Sequence, residues 1–307
     1  MKKVILDVDT GIDDAIAIIL AVKSKALDIL GITTVCGNVP VSQGAINTKR
    51  ILKLLGSEKQ IPVIRGASKP LIREPYFETN VHGENGLGGT LEDLEVDVSD
   101  GVFGPDFIIE KILENKNEVT LIMTAPLTNL ALSLQKEPAI VHYVKEAIIM
   151  GGAVATYGNV TPTAEYNIFV DPEAARLVFH SGMPITLVGL DVTRKALIDE
   201  KVIEKLGEGS IKHFIKKSTE CYMERYSRRY GLRGCAMHDP LAVAVALDKK
   251  LVTTQKYYVD IETKSQLSDG QTVCDFQRRL NREANIEVCL DLDVSRFLEL
   301  FINTIRD

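Results

Sequence analysis

Short apolar runs that alternate with amphipathic segments constrain the fold of this 307-residue chain more than any other feature. The runs are VILDV, ILGITTVCG, IPVIRG, VTLIMTA, EAIIMGGA and ITLVGLDV. Nearly continuous hydrophobic runs of this length are typical of parallel strands that are buried on both faces. Amphipathic spacing between the runs predicts helices at 15–23, 42–55, 105–114, 129–135 and 172–180.

Strands that alternate with helices predict an α/β fold, Rossmann-like, with a mostly parallel central sheet and helices on both faces. The pattern changes toward the C-terminus: residues 199–248 are mainly helical, and 257–291 suggest strands around the turn Ser268-Asp269-Gly270. A last helix is expected from about Ser295. Because no linker and no internal repeat interrupts the chain, we expect one domain over 1–307, with helical and hairpin additions toward the C-terminus.

Charge and cysteine content exclude several classes of protein. A net charge of −6 and a pI near 5.5 give no overall attraction to nucleic acid or to an anionic membrane. Five scattered cysteines without a CxxC pair indicate neither a disulfide framework nor a zinc site. The N-terminal MKKVILDVDT lacks the apolar core and cleavage site of a signal peptide. We therefore expect a cytoplasmic protein without a nucleic-acid or membrane partner.

The stretch DVDTGIDDA, residues 7–15, places four carboxylates directly after the first apolar run. Helix capping and the helix dipole explain Asp13 and Asp14 in part, because both precede a predicted helix. They do not explain Asp7 and Asp9. Carboxylates that converge at the end of a strand repel one another unless a cation or a proton offsets them. Aspartate oxygens without nearby Cys or His favour Ca²⁺ or Mg²⁺ over Zn²⁺.

Two known acidic patterns compete for this stretch. An EF-hand loop counted from Asp7 needs an acidic or amide group at its fifth position and a glutamate at its twelfth, but Gly11 and Ile18 occupy those positions. A phosphotransferase of the haloacid dehalogenase type resembles the stretch more closely, with Asp7 as nucleophile, Asp9 as acid/base and Mg²⁺ as cofactor. A noncatalytic nucleoside- or ribose-binding protein is a third alternative.

Four tracts together carry a more specific resemblance: DVDTGIDDA (7–15), GN (37–38), GNVTPTAEYNIFVDPEAA (158–175) and MHDP (237–240). In this order, from Val4 to about Leu247, they resemble the nucleoside hydrolase family of the inosine-uridine type. Typical members have proline at the position of Thr10 and glycine at that of Ala125. The resemblance implies hydrolysis of a ribonucleoside to ribose and free base, and it implies that the chain forms a homodimer or homotetramer.

The family resemblance also implies a calcium site and a nucleophile. The calcium ligands would be the carboxylates of Asp9, Asp14 and Asp239 and the main-chain carbonyl of Thr124. Calcium accepts six to eight oxygen ligands, which leaves positions for a water molecule and two ribose hydroxyls. The calcium-bound water would attack the sugar directly, and Asp9 would take its proton.

Ribose and leaving-group contacts follow from the same resemblance. The residues expected against the ribose hydroxyls are Asp13, Asn38, Asn159, Glu165 and Asn167. Glu165 and Asn167 are spaced by two, which in an extended segment points both side chains to one side. His238 is the expected catalytic acid for the leaving base, because an imidazole can protonate a base nitrogen near neutral pH.

The base pocket is expected to use tyrosine and histidine. The chain has no tryptophan, which excludes activation of a purine by stacking on an indole. Tyr222, Tyr226 and Tyr230 recur at helical spacing, and we expect Tyr226 and Tyr230 to line the pocket, with Tyr230 in a proton relay to His238. His82 lies in the glycine-rich segment 79–90, which we expect to be a mobile loop over the site. These features favour pyrimidine and inosine-type substrates.

Overall fold

The computed structural model describes residues 1–98, 101–231 and 233–306, with the side chains of 79, 80, 229 and 230 left out. The strands are β1 (Lys2–Val8), β2 (Leu27–Thr34), β3 (Val63–Arg65), β4 (Thr120–Met123), β5 (Glu146–Met150), β6 (Ile185–Val188), β7 (Leu197–Ile198), β8 (Cys235–Ala236), β9 (Val252–Tyr257), β10 (Val259–Ile261), β11 (Thr272–Cys274) and β12 (Ile286–Leu292). The α-helices are α1 (Ile12–Lys23), α2 (Val41–Leu54), α3 (Thr79–His82), α4 (Gly104–Glu114), α5 (Thr128–Lys136), α6 (Tyr166–Val170), α7 (Pro172–Phe179), α8 (Leu190–Thr193), α9 (Glu200–Ile203), α10 (Ser210–Tyr230), α11 (His238–Leu247) and α12 (Val294–Arg306).

An eight-stranded sheet with the order β3-β2-β1-β4-β5-β6-β12-β9 forms the centre of the molecule. Its strands pair in parallel except for β9, which runs antiparallel to β12 at the edge. The predicted α/β fold with a mostly parallel sheet is confirmed. The sequence placed β12 among the C-terminal additions, whereas its Val288 pairs with Leu187 of β6 inside the main sheet.

The core lies on both faces of the sheet. Val4, Leu6 and Val8 of β1 belong to one apolar cluster, whereas Ile5 belongs to the other. Alternate side chains of a strand point to opposite faces, so a strand that is apolar at successive positions must be covered on both sides. Burial of one such side chain stabilises the fold by about 1.5–3 kcal/mol.

Helix α1 begins three residues earlier than the sequence predicts. The helix starts at Ile12, and the backbone N–H of Gly11 donates to Asp14 Oδ2 over 2.9 Å. Asp13 and Asp14 therefore occupy the first turn, where acidic side chains offset the positive end of the helix dipole. The prediction of a start at Ala15 was wrong because it treated both aspartates as part of the preceding turn.

The C-terminal additions follow the predicted outline. Helices α9, α10 and α11 occupy the segment predicted to be helical, and β10 and β11 pair antiparallel around Gly270. Gly270 has a φ of +76°, a conformation that favours glycine in a tight turn. In α12, Phe297, Phe301 and Ile305 recur every four residues and are buried in the apolar cluster that includes α1 and α11. Among the helices described, none is both long enough and apolar enough to cross a bilayer.

Candidate active site

A cavity opens where the parallel strands end, the edge at which ligands bind in open α/β sheets. Loops after β2, β4 and β5 and the first turns of α1 and α11 supply its polar wall, and α3 and α10 supply aromatic side chains. The predicted site residues that line it are Asp13, Asn38, His82, Thr124, Asn159, Glu165, Asn167, Tyr226, His238 and Asp239. The fold thus gathers side chains that are up to about 226 residues apart, from 13 to 239, into one cavity.

Three carboxylates form a compact cluster at the floor of this site. One oxygen each from Asp13, Asp14 and Asp239 lies within 4.8 Å of the others, and all three residues are buried. The cluster arises because α1 and α11 both begin here, and a carboxylate in the first turn is favoured by the helix dipole. Asp13, which the sequence assigned to ribose, is a member of this cluster.

Asp9 borders the cluster from behind and does not line the cavity. It is fully buried, and its carboxyl group is hydrogen-bonded to that of Asp14. Asp9 Oδ2 also accepts the backbone N–H of Asn38 over 2.6 Å, and Oδ1 accepts the Asn38 side-chain amide over 3.0 Å. A Cβ atom on Gly37 would lie 2.0 Å from Asp9 Oδ2, so only glycine fits at position 37.

The electrostatics of the cluster call for a cation. Burial, followed by the charge of Asp14, raises the pKa of Asp13 to about 8, and the pKa of Asp239 is raised for the same kind of reason. In the described part of the chain, the basic group within ion-pair distance of these three carboxylates is His82, whose Nδ1 lies 4.0 Å from Asp13 Oδ1. Burial lowers the pKa of His82 to about 3, so this ring is neutral. The residues therefore fit a metal ion, and oxygen donors suit a hard divalent one.

Thr124 connects the carboxylates to α6. Its hydroxyl donates to Asp14 Oδ1 over 2.8 Å, and its carbonyl accepts the side-chain amide of Asn167 over 2.9 Å. The same amide of Asn167 contacts the carbonyl of Met150 over 3.2 Å. These bonds join the ends of two neighbouring strands to one side chain that lines the cavity.

Glu165 and Asn167 do not lie in an extended segment, as the sequence predicted. Glu165 is the N-cap of α6, and its carboxylate accepts the backbone N–H groups of Asn167 over 3.0 Å and Ile168 over 3.2 Å. The backbone N–H of Gly152 donates to the same carboxylate over 2.9 Å. The capped turn satisfies otherwise unpaired N–H groups, which explains why a helix forms here. Both side chains nevertheless reach the cavity.

His238 is held between two hydroxyl groups. Tyr226 Oη lies 2.9 Å from His238 Nε2, and Thr193 Oγ1 lies 2.7 Å from His238 Nδ1. Burial, followed by the charge of Arg194, lowers the pKa of His238 to about 3, so the ring is neutral. Tyr226 occupies the place in the relay that the sequence assigned to Tyr230, whose side chain lies outside the described residues.

His82 is more enclosed than its glycine-rich surroundings suggest. It ends the helical turn α3, is 6% exposed, and its Nδ1 accepts the backbone N–H of Ile12 over 3.1 Å. The ring also packs near Tyr222, with 6.2 Å between ring centroids. His82 is therefore buried against α1 and α10, and it lines the cavity as a residue of the predicted base pocket.

Other residues of the cavity were missed by the sequence analysis. Glu78 and Arg225 form an ion pair with 3.6 Å between Oε1 and Nη2, and both line the cavity. Tyr166 also lines it, and its hydroxyl donates to the carbonyl of Tyr76 over 2.7 Å. Arg225 follows the acidic Glu224 in a predicted helix, so its sequence context indicates a solvated face. Only the tertiary contact with Glu78 distinguishes it.

Asp7 faces away from the cavity. It is fully buried and accepts hydrogen bonds from the Thr33 hydroxyl and, over 2.7 Å, from the Asn129 amide. Burial raises its pKa to about 7. A phosphotransferase with Asp7 as nucleophile needs this carboxylate to face its substrate, so the geometry disfavours that alternative.

Comparison with known proteins identifies the family. Residues 4–299 match the family model described as inosine-uridine preferring nucleoside hydrolase. The pyrimidine-specific ribonucleoside hydrolase RihA of Shewanella woodyi is 40% identical over 315 residues, which cover 99% of this chain and 98% of that protein. The chain belongs to the inosine-uridine preferring nucleoside hydrolase family. The family and the class of enzyme predicted from the motifs are thereby confirmed.

Solved structures agree with this assignment. A plant nucleoside hydrolase superposes with a TM-score of 0.93 at 32% identity, and the match covers 99% of each chain. A purine-preferring ribonucleoside hydrolase from Gardnerella vaginalis superposes with a TM-score of 0.91 at 35% identity, over 99% of this chain and 98% of the other. The proteins similar to this chain therefore include a purine-preferring enzyme of known structure and a pyrimidine-specific enzyme matched by sequence.

Proposed function

We propose that this chain hydrolyses the N-glycosidic bond of ribonucleosides, giving ribose and free base, with Ca²⁺ as its metal. The observation that carries the proposal is the buried cluster of Asp13, Asp14 and Asp239, of which Asp13 and Asp239 line the same cavity as the His238–Tyr226 pair. The three carboxylates are suited to bind a metal ion and sugar hydroxyls, and the His238–Tyr226 pair is suited to hydrogen-bond a leaving base. One cavity therefore holds the parts that cleavage of a nucleoside requires.

Asp9, Asp14, Asp239 and the Thr124 carbonyl would hold the cation. When bound, a divalent cation supplies a fixed position and a lowered pKa for a water molecule. Asp9 would take the proton of that water, the role that the family resemblance implies for this carboxylate. The backbone and side-chain bonds from Asn38 fix the orientation of the Asp9 carboxylate.

The ribose would be held by amides and carboxylates. Asp13, Asn38, Asn159, Glu165 and Asn167 line the cavity, and together they offer donors and acceptors to vicinal hydroxyl groups. Each is fixed before the substrate binds: the Asn159 Oδ1, for example, accepts the backbone N–H of Tyr166 over 2.9 Å. Preorganised contacts reduce the entropy that binding would otherwise lose. Positive charge that develops on the sugar would be stabilised by the nearby carboxylates.

His238 would assist departure of the base. A neutral imidazole with its proton on Nε2 can donate a hydrogen bond to Tyr226 Oη, which lies 2.9 Å away and itself lines the cavity, so the pair would stabilise the departing base by hydrogen bonding. His82 and Tyr226 would contact the base, and Tyr230 is proposed there from the sequence alone. Pyrimidine nucleosides and inosine are the proposed substrates, and the absence of tryptophan for stacking on a purine disfavours a purine-only enzyme.

The test is ribose release from uridine, cytidine, inosine and adenosine, measured with a reducing-sugar assay. We expect release that stops with a chelator and returns with Ca²⁺. Asp9→Asn should lower kcat by about 10²-fold or more, the contribution of acid–base catalysis. Absence of release from every nucleoside by the folded protein with Ca²⁺ would reject the hydrolase. Binding of nucleosides without turnover would instead favour a noncatalytic binder, and turnover of phosphate esters a phosphotransferase.

We further propose a cytoplasmic homodimer or homotetramer that acts on free ribonucleosides. The family resemblance supports this assembly, and light scattering coupled to size exclusion tests it. A monomer at micromolar concentration would contradict the proposal. The proposed location and partners are consistent with a net charge of −6, which gives no attraction to anionic nucleic acid or membrane.

A further inference from the structure

Thr193 occupies a position that the proposed chemistry does not yet use. It ends α8 directly after β6, it is 0% exposed, and its hydroxyl lies 2.7 Å from His238 Nδ1. In the part of the chain that the structure describes, this is the only hydrogen bond of the Thr193 hydroxyl. The two residues are 45 positions apart in the sequence, and Thr193 is outside the lining of the cavity.

The segment that carries Thr193 also holds the backbone next to His238. The backbone N–H of Met237 donates to the carbonyl of Ala196 over 2.8 Å, and β7 and β8 pair antiparallel beside it. The segment 193–196 therefore bonds both to the main chain of Met237 and to the ring of His238. A ring held at Nδ1 in this way cannot rotate without breaking a buried hydrogen bond.

The direction of the bond follows from the donor and acceptor count. A threonine hydroxyl can donate or accept, and a neutral imidazole has one nitrogen of each kind. If Nδ1–H donated to Thr193, the buried hydroxyl proton would have no acceptor among the described residues. If the hydroxyl donates to Nδ1, the Thr193 proton and both ring nitrogens have partners, because the Nε2–H can donate to Tyr226 Oη at 2.9 Å.

We propose that Thr193 is a positioning residue that keeps the ring proton of His238 on Nε2, the nitrogen that faces Tyr226 and the cavity. The inference rests on the proposed hydrolase function, because its purpose is to present a donor to the leaving base. Thr193 itself touches no substrate. Its hydroxyl selects the tautomer and the ring orientation, as a carboxylate or carbonyl partner does for other functional histidines.

The first test is direct observation of the tautomer. Nitrogen NMR of protein labelled at the histidine nitrogens, with His238 assigned by its loss in His238→Ala, distinguishes a protonated Nε2 from a protonated Nδ1. We expect Nε2–H in the wild-type protein and in Thr193→Ser, and a mixture of tautomers in Thr193→Val. A wild-type ring with Nδ1–H, or a Thr193→Val ring unchanged from wild type, would overturn the proposal. This readout does not require turnover, so it remains valid if the hydrolase function fails.

The second test compares two substrates. Thr193→Val should lower kcat for uridine about tenfold and leave p-nitrophenyl riboside within about twofold, because nitrophenolate leaves without a donated proton. Thr193→Ser should restore most of the uridine activity, and Thr193→Val should add no loss in a His238→Ala background. Thr186→Val is the matched control: Thr186 lies in β6, is 2% exposed and is outside the cavity. Equal losses on both substrates, or no loss on either, would overturn the positioning role.

Discussion

At the scale of single residues, Asp239 provides the sharpest test of the metal site. Its carboxylate meets those of Asp13 and Asp14, and without a cation the three repel one another. Asp239→Asn should weaken Ca²⁺ binding at least tenfold, measured by isothermal titration calorimetry, because one anionic ligand is lost. Asp291→Asn makes the same chemical change at an exposed carboxylate that pairs with Lys195. Equal Ca²⁺ affinity in the two variants would remove Asp239 from the ligand set.

His238 allows the leaving-group role to be separated from folding. His238→Ala should lower kcat for inosine or uridine about 10²-fold, the lower end of acid–base contributions, and should hardly affect p-nitrophenyl riboside. His180→Ala is the control, because His180 is partly exposed and pairs with Asp260, away from the cavity. Steady-state kinetics on both substrates measure the difference. Losses of the same size on both would contradict a role in base departure.

The residues that the sequence identified either stand in a short local pattern of visible chemistry or match a motif of the nucleoside hydrolase family. Asp13 and Asp14 stand in one crowded stretch directly after an apolar run, so their convergence at a strand end could be predicted. Thr193 could not be identified, since its contact with His238 spans 45 positions and nothing nearby in sequence marks it. Glu165 was identified with the wrong local structure, because an N-cap and an extended residue share the same backbone region.

At the scale of elements, the segment 79–90 and α10 close over the cavity together. They touch through the His82 and Tyr222 rings and through Gly88, where an added Cβ would lie 3.0 Å from the backbone carbonyl of Ser218. Gly88 has a φ of +64°, and the next residue, Gly89, has a φ of +73° with no atom within 4 Å of its Cβ position. A side chain at either glycine would strain the backbone, but only one at Gly88 would also contact α10, so substitutions at the two positions distinguish the two effects.

Gly88→Ala and Gly89→Ala should both destabilise the protein by about 1 kcal/mol, the cost of a side chain in left-handed backbone. Gly88→Ala should also raise KM for nucleosides several-fold, because the clash displaces His82 relative to Tyr222, while Gly89→Ala should leave KM unchanged. Urea unfolding and nucleoside kinetics measure the two effects. The contact with α10 would be irrelevant to binding if both variants had the same KM.

The elements were predictable wherever hydrophobic spacing alone decides the structure. β1, β2, β4, β5 and β6 match apolar runs in the sequence. The membership of β12 in the main sheet was not predictable from spacing, because any apolar strand can pair at an open edge, and only packing selects its place beside β6. The start of α1 was missed because Asp13 and Asp14 lie in its first turn, and hydrophobic spacing does not detect polar residues at the start of a helix.

At the scale of the whole molecule, the metal site joins parts of the fold that are distant in sequence. Asp13 and Asp14 follow β1 at one end of the chain, and Asp239 begins α11, which packs against α1. The three carboxylates therefore come together only when β1, α1 and α11 are all in place. An ion that binds this arrangement and not the unfolded chain must stabilise the complete fold.

Thermal unfolding with and without the ion tests this coupling. Ca²⁺ at about 100 times its Kd should add about 2.7 kcal/mol of stability, so the Tm of the wild-type protein should rise and should fall again with a chelator. Asp14→Asn should abolish the rise, since it removes a ligand and the partner of Gly11 and Thr124. Asp291→Asn should retain it. If Ca²⁺ left the Tm of the wild-type protein unchanged, the carboxyl groups of the cluster would stay protonated and would not bind the ion. That result would reject Ca²⁺ as the cofactor.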